Sequence, residues 1–153
     1  MKKILLICLL SVTLFSQTVY TKNNTEITNG ITISIETKKP INGIMKTYYL
    51  NLEDMFDPNT AANTGELKAE MTYEDGQMNG ILQRYYKTGK LKLETTVKDG
   101  KSIGIVKIYF KTGELKGKIS FKNGKAIQGF KYTQDGKKIK MTNAHFHNLG
   151  LKY

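Results

Sequence analysis

The feature that most constrains the fold of this chain is a repeat with a period of 24 residues. Glycines mark the period in two sets, at Gly76, Gly100 and Gly124, and at Gly65, Gly89, Gly113 and, slipped by one position, Gly136. Self-similarity at a fixed period indicates stacked copies of one small unit, each of which contacts its neighbours. The sequence therefore predicts a repeat array, an architecture that usually presents a binding surface.

Each unit has the pattern of a β-hairpin. Between the turns, Leu91, Leu93 and Val97 alternate with Lys92, Glu94 and Thr96. Alternation with period two is typical of a strand with one buried face. At the unit junctions, residue pairs that suit two-residue type I′ turns occur at Asp75-Gly76, Asp99-Gly100 and Asn123-Gly124. Because an isolated hairpin is marginally stable, we expect an all-β protein: an elongated antiparallel meander of tandem hairpins in one sheet.

The first copy of the unit is split. It contains Gly43 and Tyr48-Tyr49 and resumes at Gly65, which leaves an insertion at residues 50–63. Acidic residues cluster there around Met55 and Phe56, but the spacing of an EF-hand calcium loop is missing. A surface loop that interrupts a regular array often carries recognition. Met55 and Phe56 are therefore candidate partner contacts, while an ordinary solvent-exposed insertion is the default interpretation.

The N-terminus is typical of a signal peptide, which we assign to residues 1–21. Lys2 and Lys3 precede an apolar run, and cleavage sites are available after Thr18 or Thr21. The run is shorter than the ~20 residues that a membrane-spanning helix needs. We expect export to the periplasm or out of the cell. Cys8, the only cysteine, is lost with this peptide, so the mature chain has no disulfide and no thiol nucleophile.

Three further segments follow the signal peptide. Residues 22–30 are polar and predict a flexible lead. Residues 31–140 form the repeat domain, which begins with one strand at Ile31, and residues 141–153 form a tail that leaves the pattern. The tail contains His145 and His147, but two ligands do not make a metal site, and a polar cap or a frayed end is the simpler interpretation. We predict no metal and no cofactor.

The chain is strongly basic, with a formal net charge of +11. Lysines at one repeat register, with one further lysine beside them, predict a basic ladder of Lys68, Lys92, Lys116 and Lys118. Such a ladder would attract anionic lipid, an acidic envelope polymer or an acidic protein. Solubility and protection of sheet edges are the alternative reading. Nucleic acid is a poor candidate, because only one basic residue is arginine and no recognition module is present.

Tyrosines also recur at one register. Tyr85, Tyr109 and Tyr132 occupy equivalent positions and predict an aromatic column across the sheet. Such a column either packs in the core or stacks against a ligand. We include these tyrosines among the candidate binding residues, although core packing is the usual role of aromatic residues at repeat spacing.

The combined pattern resembles a known family. A G-x-x-x-G motif, a Tyr-Tyr pair, T-G-K/E-L-K and D/N-G-K recur over residues 39–140. This pattern is similar to the bacterial MORN-variant repeat, which occurs in proteins of the YwqK antitoxin family and in many secreted bacterial proteins. The resemblance implies a twisted sheet of hairpins and supplies no catalytic residue.

The sequence contains none of the motifs that mark common enzymes. G-x-S-x-G, H-E-x-x-H, a P-loop and paired carboxylates are all missing. We therefore expect an exported, non-enzymatic repeat protein that acts as a macromolecule-binding scaffold in the bacterial envelope or outside the cell, with a protein as its most natural partner. The alternative is an antitoxin or immunity protein that neutralises one cognate toxin. The sequence names no single partner and sets no oligomeric state.

Overall fold

The computed structural model describes residues 18–49 and 65–153 of the chain. These residues form eleven strands and one short helix: β1 Val19–Thr21, β2 Thr25–Thr28, β3 Ile31–Ser34, β4 Gly43–Tyr48, β5 Leu67–Glu74, β6 Gln77–Tyr85, β7 Leu91–Lys98, β8 Lys101–Tyr109, β9 Leu115–Lys122, β10 Lys125–Tyr132, β11 Lys138–Lys140 and α1 Asn143–Asn148. The predicted all-β class is confirmed. No helix among the described residues combines the length and the apolar character needed to cross a bilayer.

Nine of the strands form one long sheet in the order β1-β4-β5-β6-β7-β8-β9-β10-β11. From β4 onward every strand pairs antiparallel with the next one in the chain, so the predicted meander is confirmed. Strand β1 adds a parallel edge beside β4, which makes the sheet mixed. Strands β2 and β3 form a separate two-stranded sheet.

The junction turns have the backbone that their sequences predict. Both residues of each pair have positive φ, as a type I′ turn requires: 48° and 73° at Asp75-Gly76, and 49° and 71° at Asp99-Gly100. Asn29-Gly30 has the same geometry, with 52° and 79°, and closes the β2–β3 hairpin. Regular structure therefore occupies residues 22–30, where the sequence analysis expected a flexible lead. The 3-10 turn Lys22–Asn24 precedes this hairpin.

The opposite turns explain the split first copy. The Tyr86 N–H donates to the Lys90 carbonyl at 2.9 Å and closes one ordinary turn. The Tyr49 N–H donates to the Glu66 carbonyl at the same distance and in the equivalent position. The first copy is therefore an ordinary hairpin unit whose turn has been enlarged. The insertion itself, including Met55 and Phe56, lies outside the described residues.

The C-terminal end of the sheet is covered by the tail. Phe146 of α1 is only 4% exposed and packs with Val106, Ile119 and Ala126. Gly129 makes this packing possible, because a Cβ at that position would lie 2.9 Å from Phe146 Cε1. The tail is therefore a packed apolar cap rather than a polar cap or a frayed end. His145 and His147 lie on its helix, not on a strand.

A second cap holds the first junction turn of the array. The Thr32 N–H donates to the Gly76 carbonyl, and the Gly76 N–H donates to the carbonyl of the fully buried Ile41, each at 2.9 Å. The Asn42 side chain accepts the Asp75 N–H at 2.9 Å. The β2–β3 hairpin and residues 40–42 therefore clamp this turn. Terminal units of repeat arrays commonly need such caps.

Candidate binding surface

The ladder lysines on β5, β7 and β9 share an unusual backbone position. Between β6 and β7, Arg84 pairs with Leu93 and the next pair is Tyr85 with Leu91, so Lys92 is an extra residue in a β-bulge. The same irregularity recurs between β4 and β5 and between β8 and β9. We call the three extra residues the bulge-lysine row: Lys68, Lys92 and Lys116. Bulges re-aim side chains and often lie near functional sites.

Each lysine of the row lies over an aromatic ring. The ammonium nitrogen is 5.7 Å from the ring centroid of Tyr49 for Lys68, 5.5 Å from Tyr86 for Lys92, and 5.5 Å from Phe110 for Lys116. These distances lie within the range of cation–π attraction. The same lysine-over-ring pairing therefore recurs in three successive units, and the exposed charges form a regular row.

The ring beneath each lysine is the second aromatic residue of its repeat, and two of these rings also join neighbouring repeats. The Tyr49 hydroxyl donates to the Tyr85 carbonyl at 2.8 Å, and the Tyr86 hydroxyl donates to the Tyr109 carbonyl at 2.7 Å. Phe110 has no hydroxyl, so this series of bonds ends there. The Tyr-Tyr pairs in the sequence indicated that these positions matter. However, the predicted aromatic column used the first residue of each pair, whereas the lysines lie over the second.

The predicted column of Tyr85, Tyr109 and Tyr132 does not stack. These residues occur on β6, β8 and β10, and each pair is separated by an intervening strand. Two strand spacings amount to about 9–10 Å, beyond the 4.5–7 Å that aromatic pairs need. The one close ring pair among the described residues is Phe146 with Tyr153. The tyrosines are half-buried and form a row without mutual ring contact.

Tyr85 instead belongs to a polar network on the sheet. Its hydroxyl lies 3.1 Å from Glu70 Oε2 and 3.1 Å from Gln83 Oε1. The other oxygen of Glu70 accepts the Lys46 ammonium at 3.0 Å. Burial, and then the nearby Glu70 carboxylate, raise the pKa of the Tyr85 hydroxyl above its usual value. The hydrogen bond to Glu70 likewise raises the pKa of Lys46.

The network continues to the next hairpin. Glu94 accepts the Gln83 amide at 3.1 Å and the Lys107 ammonium at 3.0 Å. The bond from Lys107, followed by that from Gln83, lowers the pKa of Glu94, and the same pair raises the pKa of Lys107. The two carboxylates, Glu70 and Glu94, are therefore already bound by side chains on this surface.

Lys118, the fourth lysine of the predicted ladder, lies elsewhere. It is opposite Lys107 on one side and Phe130 on the other, within a regular part of β9. It is half-buried, whereas the bulge lysines are exposed. The structure therefore brings three of the four predicted lysines into one row. Lys138 provides another charge over a ring, 3.9 Å from the Phe130 centroid, which the sequence analysis missed because the last repeat is slipped.

A groove of about 650 Å³ opens at the N-terminal end of the bulge-lysine row. Two lysines of the row contribute to its lining, together with side chains of β4 and the 3-10 turn. Its cationic lining residues are Lys22, Lys46, Lys68, Arg84 and Lys92, and its tyrosines are Tyr48, Tyr49 and Tyr85. The groove was not predicted, because the parallel docking of β1 that brings Lys22 to β4 has no local sequence signal.

The structure gives no sign of a metal centre in the part of the chain that it describes, where no three histidine or acidic side chains converge. His145 is engaged instead at the start of α1, where its Nδ1 lies 2.8 Å from the Thr142 hydroxyl. The candidate surface is built from cations, aromatic rings and a hydrogen-bonded polar network.

Comparison with known families agrees with this architecture. The family described as MORN repeat variant matches residues 78–99 and 103–123. These two stretches cover most of strands β6–β9, the most regular part of the array. No curated protein and no solved structure is similar enough to match the chain. The match supports a MORN-repeat protein, and proteins built from such repeats generally bind other molecules.

Proposed function

We propose that this protein is an exported, non-enzymatic scaffold that binds another macromolecule through its bulge-lysine row. The recurrence of one local arrangement carries the proposal. In three successive units a bulge places a lysine over an aromatic ring at 5.5–5.7 Å. Repetition of a charge, a ring and a backbone irregularity together provides a surface for a partner that contacts several units at once.

The alternative role of these lysines, protection of sheet edges, does not fit their positions. Lys68, Lys92 and Lys116 lie on β5, β7 and β9, and each of these strands has a hydrogen-bonded neighbour on both sides. Edge protection applies to strands with an unpaired side. Solubility alone does not require that each lysine occupy a bulge or cover a ring. A binding role accounts for both features.

The proposal is tested by partner capture in the native host. A C-terminally tagged protein is recovered from the cell envelope and washed at about 0.15 M and then about 0.5 M salt, which shortens the screening length. The test variant combines Lys68→Gln, Lys92→Gln and Lys116→Gln. The control carries Lys98→Gln, Lys122→Gln and Lys140→Gln, which removes the same charge from exposed positions outside the row.

We expect the unmodified protein and the control to retain a partner that the test variant loses. Equal loss from both variants would show that net charge, and not the row, is responsible. Turnover of a substrate that one point substitution abolishes would overturn the non-enzymatic assignment. A captured toxin that is neutralised one-to-one would identify the scaffold as an antitoxin, the role to which the family resemblance points.

Export is tested by the N-terminus of the protein recovered from the envelope. Residues 19–21 form β1 and pair with Ile44, Met45 and Lys46 of β4. Cleavage after Thr21 would remove this strand, whereas cleavage after Thr18 would keep it. We therefore expect Val19 as the first residue of the processed chain, which shortens the signal peptide from the residues 1–21 assigned from the sequence to residues 1–18. Recovery of an unprocessed N-terminus would contradict the export assignment.

A further inference from the structure

We propose that the groove beside the bulge-lysine row binds a linear polyanion, a polymer that carries phosphate or carboxylate groups along its length. This inference rests on the proposed binding function and specifies the chemistry of the ligand. The polymer would enter the groove at the 3-10 turn Lys22–Asn24 and cross the strands along the row toward Lys116.

The charge of the groove is the first argument. Five cationic residues line it, and no carboxylate is among its described lining residues. Glu70, the acid that pairs with Lys46, is engaged on both oxygens by Lys46 and Tyr85. The remaining cations have no acidic partner among the described residues, so their field is directed at whatever enters the groove. A concave surface lined by one sign of charge concentrates ions of the opposite sign.

The only arginine of the chain is the second argument. Arg84 is exposed and lines the groove. Arg84 pairs with Ala69 on β5 and with Leu93 on β7. Its neighbour on β5 is therefore a small, buried side chain. A guanidinium group binds one phosphate or carboxylate with two parallel hydrogen bonds. Arg84 is therefore the residue that would anchor an anionic group, while the lysines supply point charges around it.

The spacing of the row is the third argument, and it favours a polymer over a small anion. The row lysines occur on every second strand, which separates them by about 9–10 Å. Lys68 to Lys116 then spans about 20 Å across the strands. Because the three lysines lie on alternate strands at this spacing, one small anion cannot contact all of their charges. A chain with regularly repeated negative groups can contact all of them.

The test measures binding of the full processed protein to two polymers and to their small counterparts by calorimetry at about 0.15 M salt, where the screening length is about 8 Å. The probes are long-chain polyphosphate with pyrophosphate, and polygalacturonate with galacturonate. The groove variant is Lys22→Gln with Arg84→Gln. The control variant is Lys125→Gln with Lys131→Gln, two exposed lysines of β10 near the other end of the sheet. Circular dichroism and the unfolding midpoint confirm that both variants fold.

We expect at least one polymer to bind much more tightly than its small counterpart. The groove variant should bind it at least about tenfold more weakly, because loss of even one charge-assisted hydrogen bond corresponds to about that factor. The control should change affinity by less than about twofold, because its charges lie outside the groove. Preference for polyphosphate or for polygalacturonate would distinguish the two sources of the anionic groups.

Equal weakening of both variants would overturn the groove assignment, since binding would then follow net charge. Equal affinity for polymer and small anion would overturn the role of the row. Binding to anionic lipid vesicles but to neither soluble polymer would replace the proposal with a membrane surface. Absence of polymer binding in a protein that still captures a partner through its lysine row would reject this inference and leave the scaffold function standing.

Discussion

The two ends of the main sheet are completed by different kinds of flanking segment. At the C-terminal end, α1 lays Phe146 on Ile119 and Ala126 and removes an apolar surface from water. At the N-terminal end, β1 and the 3-10 turn add Lys22 to a groove that already contains Lys68 and Arg84. One addition closes the sheet and the other extends a charged surface. The comparison shows that the segments flanking a regular array decide which end is covered by apolar packing and which end carries exposed charge.

The largest effect should come from breaking the closed end. We expect Phe146→Ala to lower the free energy of unfolding by about 3–5 kcal/mol, because it removes a buried aromatic side chain and leaves a cavity. Phe110→Ala, which removes the half-buried ring beneath Lys116, should lower the free energy of unfolding by clearly less. Urea denaturation of both variants measures the difference. Equal losses would mean that the C-terminal cap contributes no more than the open surface.

Substitution of two glycines tests the packing of the C-terminal cap with a smaller change in the side chain. Gly129→Ala should destabilise by about 1–3 kcal/mol, since its new methyl group would lie 2.7 Å from Met141 Sδ and displace Phe146. Gly117→Ala is the matched control, because it lies in β9 and its new methyl group would meet its nearest atom at 3.6 Å. Thermal unfolding of the two variants checks the expectation. A Gly117→Ala loss as large as that of Gly129→Ala would argue against crowding beneath Phe146.

The bonds between repeats belong to the open end and should be weaker. Tyr86→Phe should cost about 1 kcal/mol, because it removes the hydroxyl that donates to the Tyr109 carbonyl. Phe110→Tyr restores a hydroxyl at the equivalent position of the next unit, so we expect it to be neutral or slightly stabilising. Chemical denaturation measures both. Opposite signs would be strong support for a bonded series that ends at Phe110, and a destabilising Phe110→Tyr would contradict it.

The smallest effect concerns the polar network and pH. The Glu94 carboxylate has a lowered pKa because Lys107 and Gln83 bind it, so its stabilisation is present above its ordinary pKa of about 4.5. That contribution is lost as the pH falls through the lower, folded-state value. For a partly exposed ion pair the change stays within about 1 kcal/mol. Glu94→Gln should flatten the acid side of a stability–pH curve. An unchanged curve would show that the Glu94–Lys107 pair does not contribute to stability.

The regular part of the fold was predictable because its signals are local. A type I′ turn is specified by two residues such as Asp99-Gly100, and a half-buried strand by alternation within eight residues. The Asn29-Gly30 turn carried the same signal, but the polar residues around it favoured a flexible lead.

The candidate site was only partly predictable because it depends on which strands are neighbours. Repeat spacing places Lys68, Lys92 and Lys116 in one register, but it does not reveal that each is the extra residue of a bulge. Equivalent tyrosines were expected to touch, yet equivalent residues of a hairpin repeat lie two strands apart. The parallel pairing of β1 joins segments that are far apart in sequence, and no local pattern specifies it.

The two-strand step of the bulge-lysine row has a consequence for how such a protein can change. Each of the three hairpin units β4–β5, β6–β7 and β8–β9 contributes one lysine, one ring and one bulge, and units of such an array contact the units beside them. Duplication of a unit in the middle of the array would therefore add a contact without disturbing either end. The number of units sets the valency of the surface, and avidity for a repetitive partner would rise with each copy while every single contact stays weak.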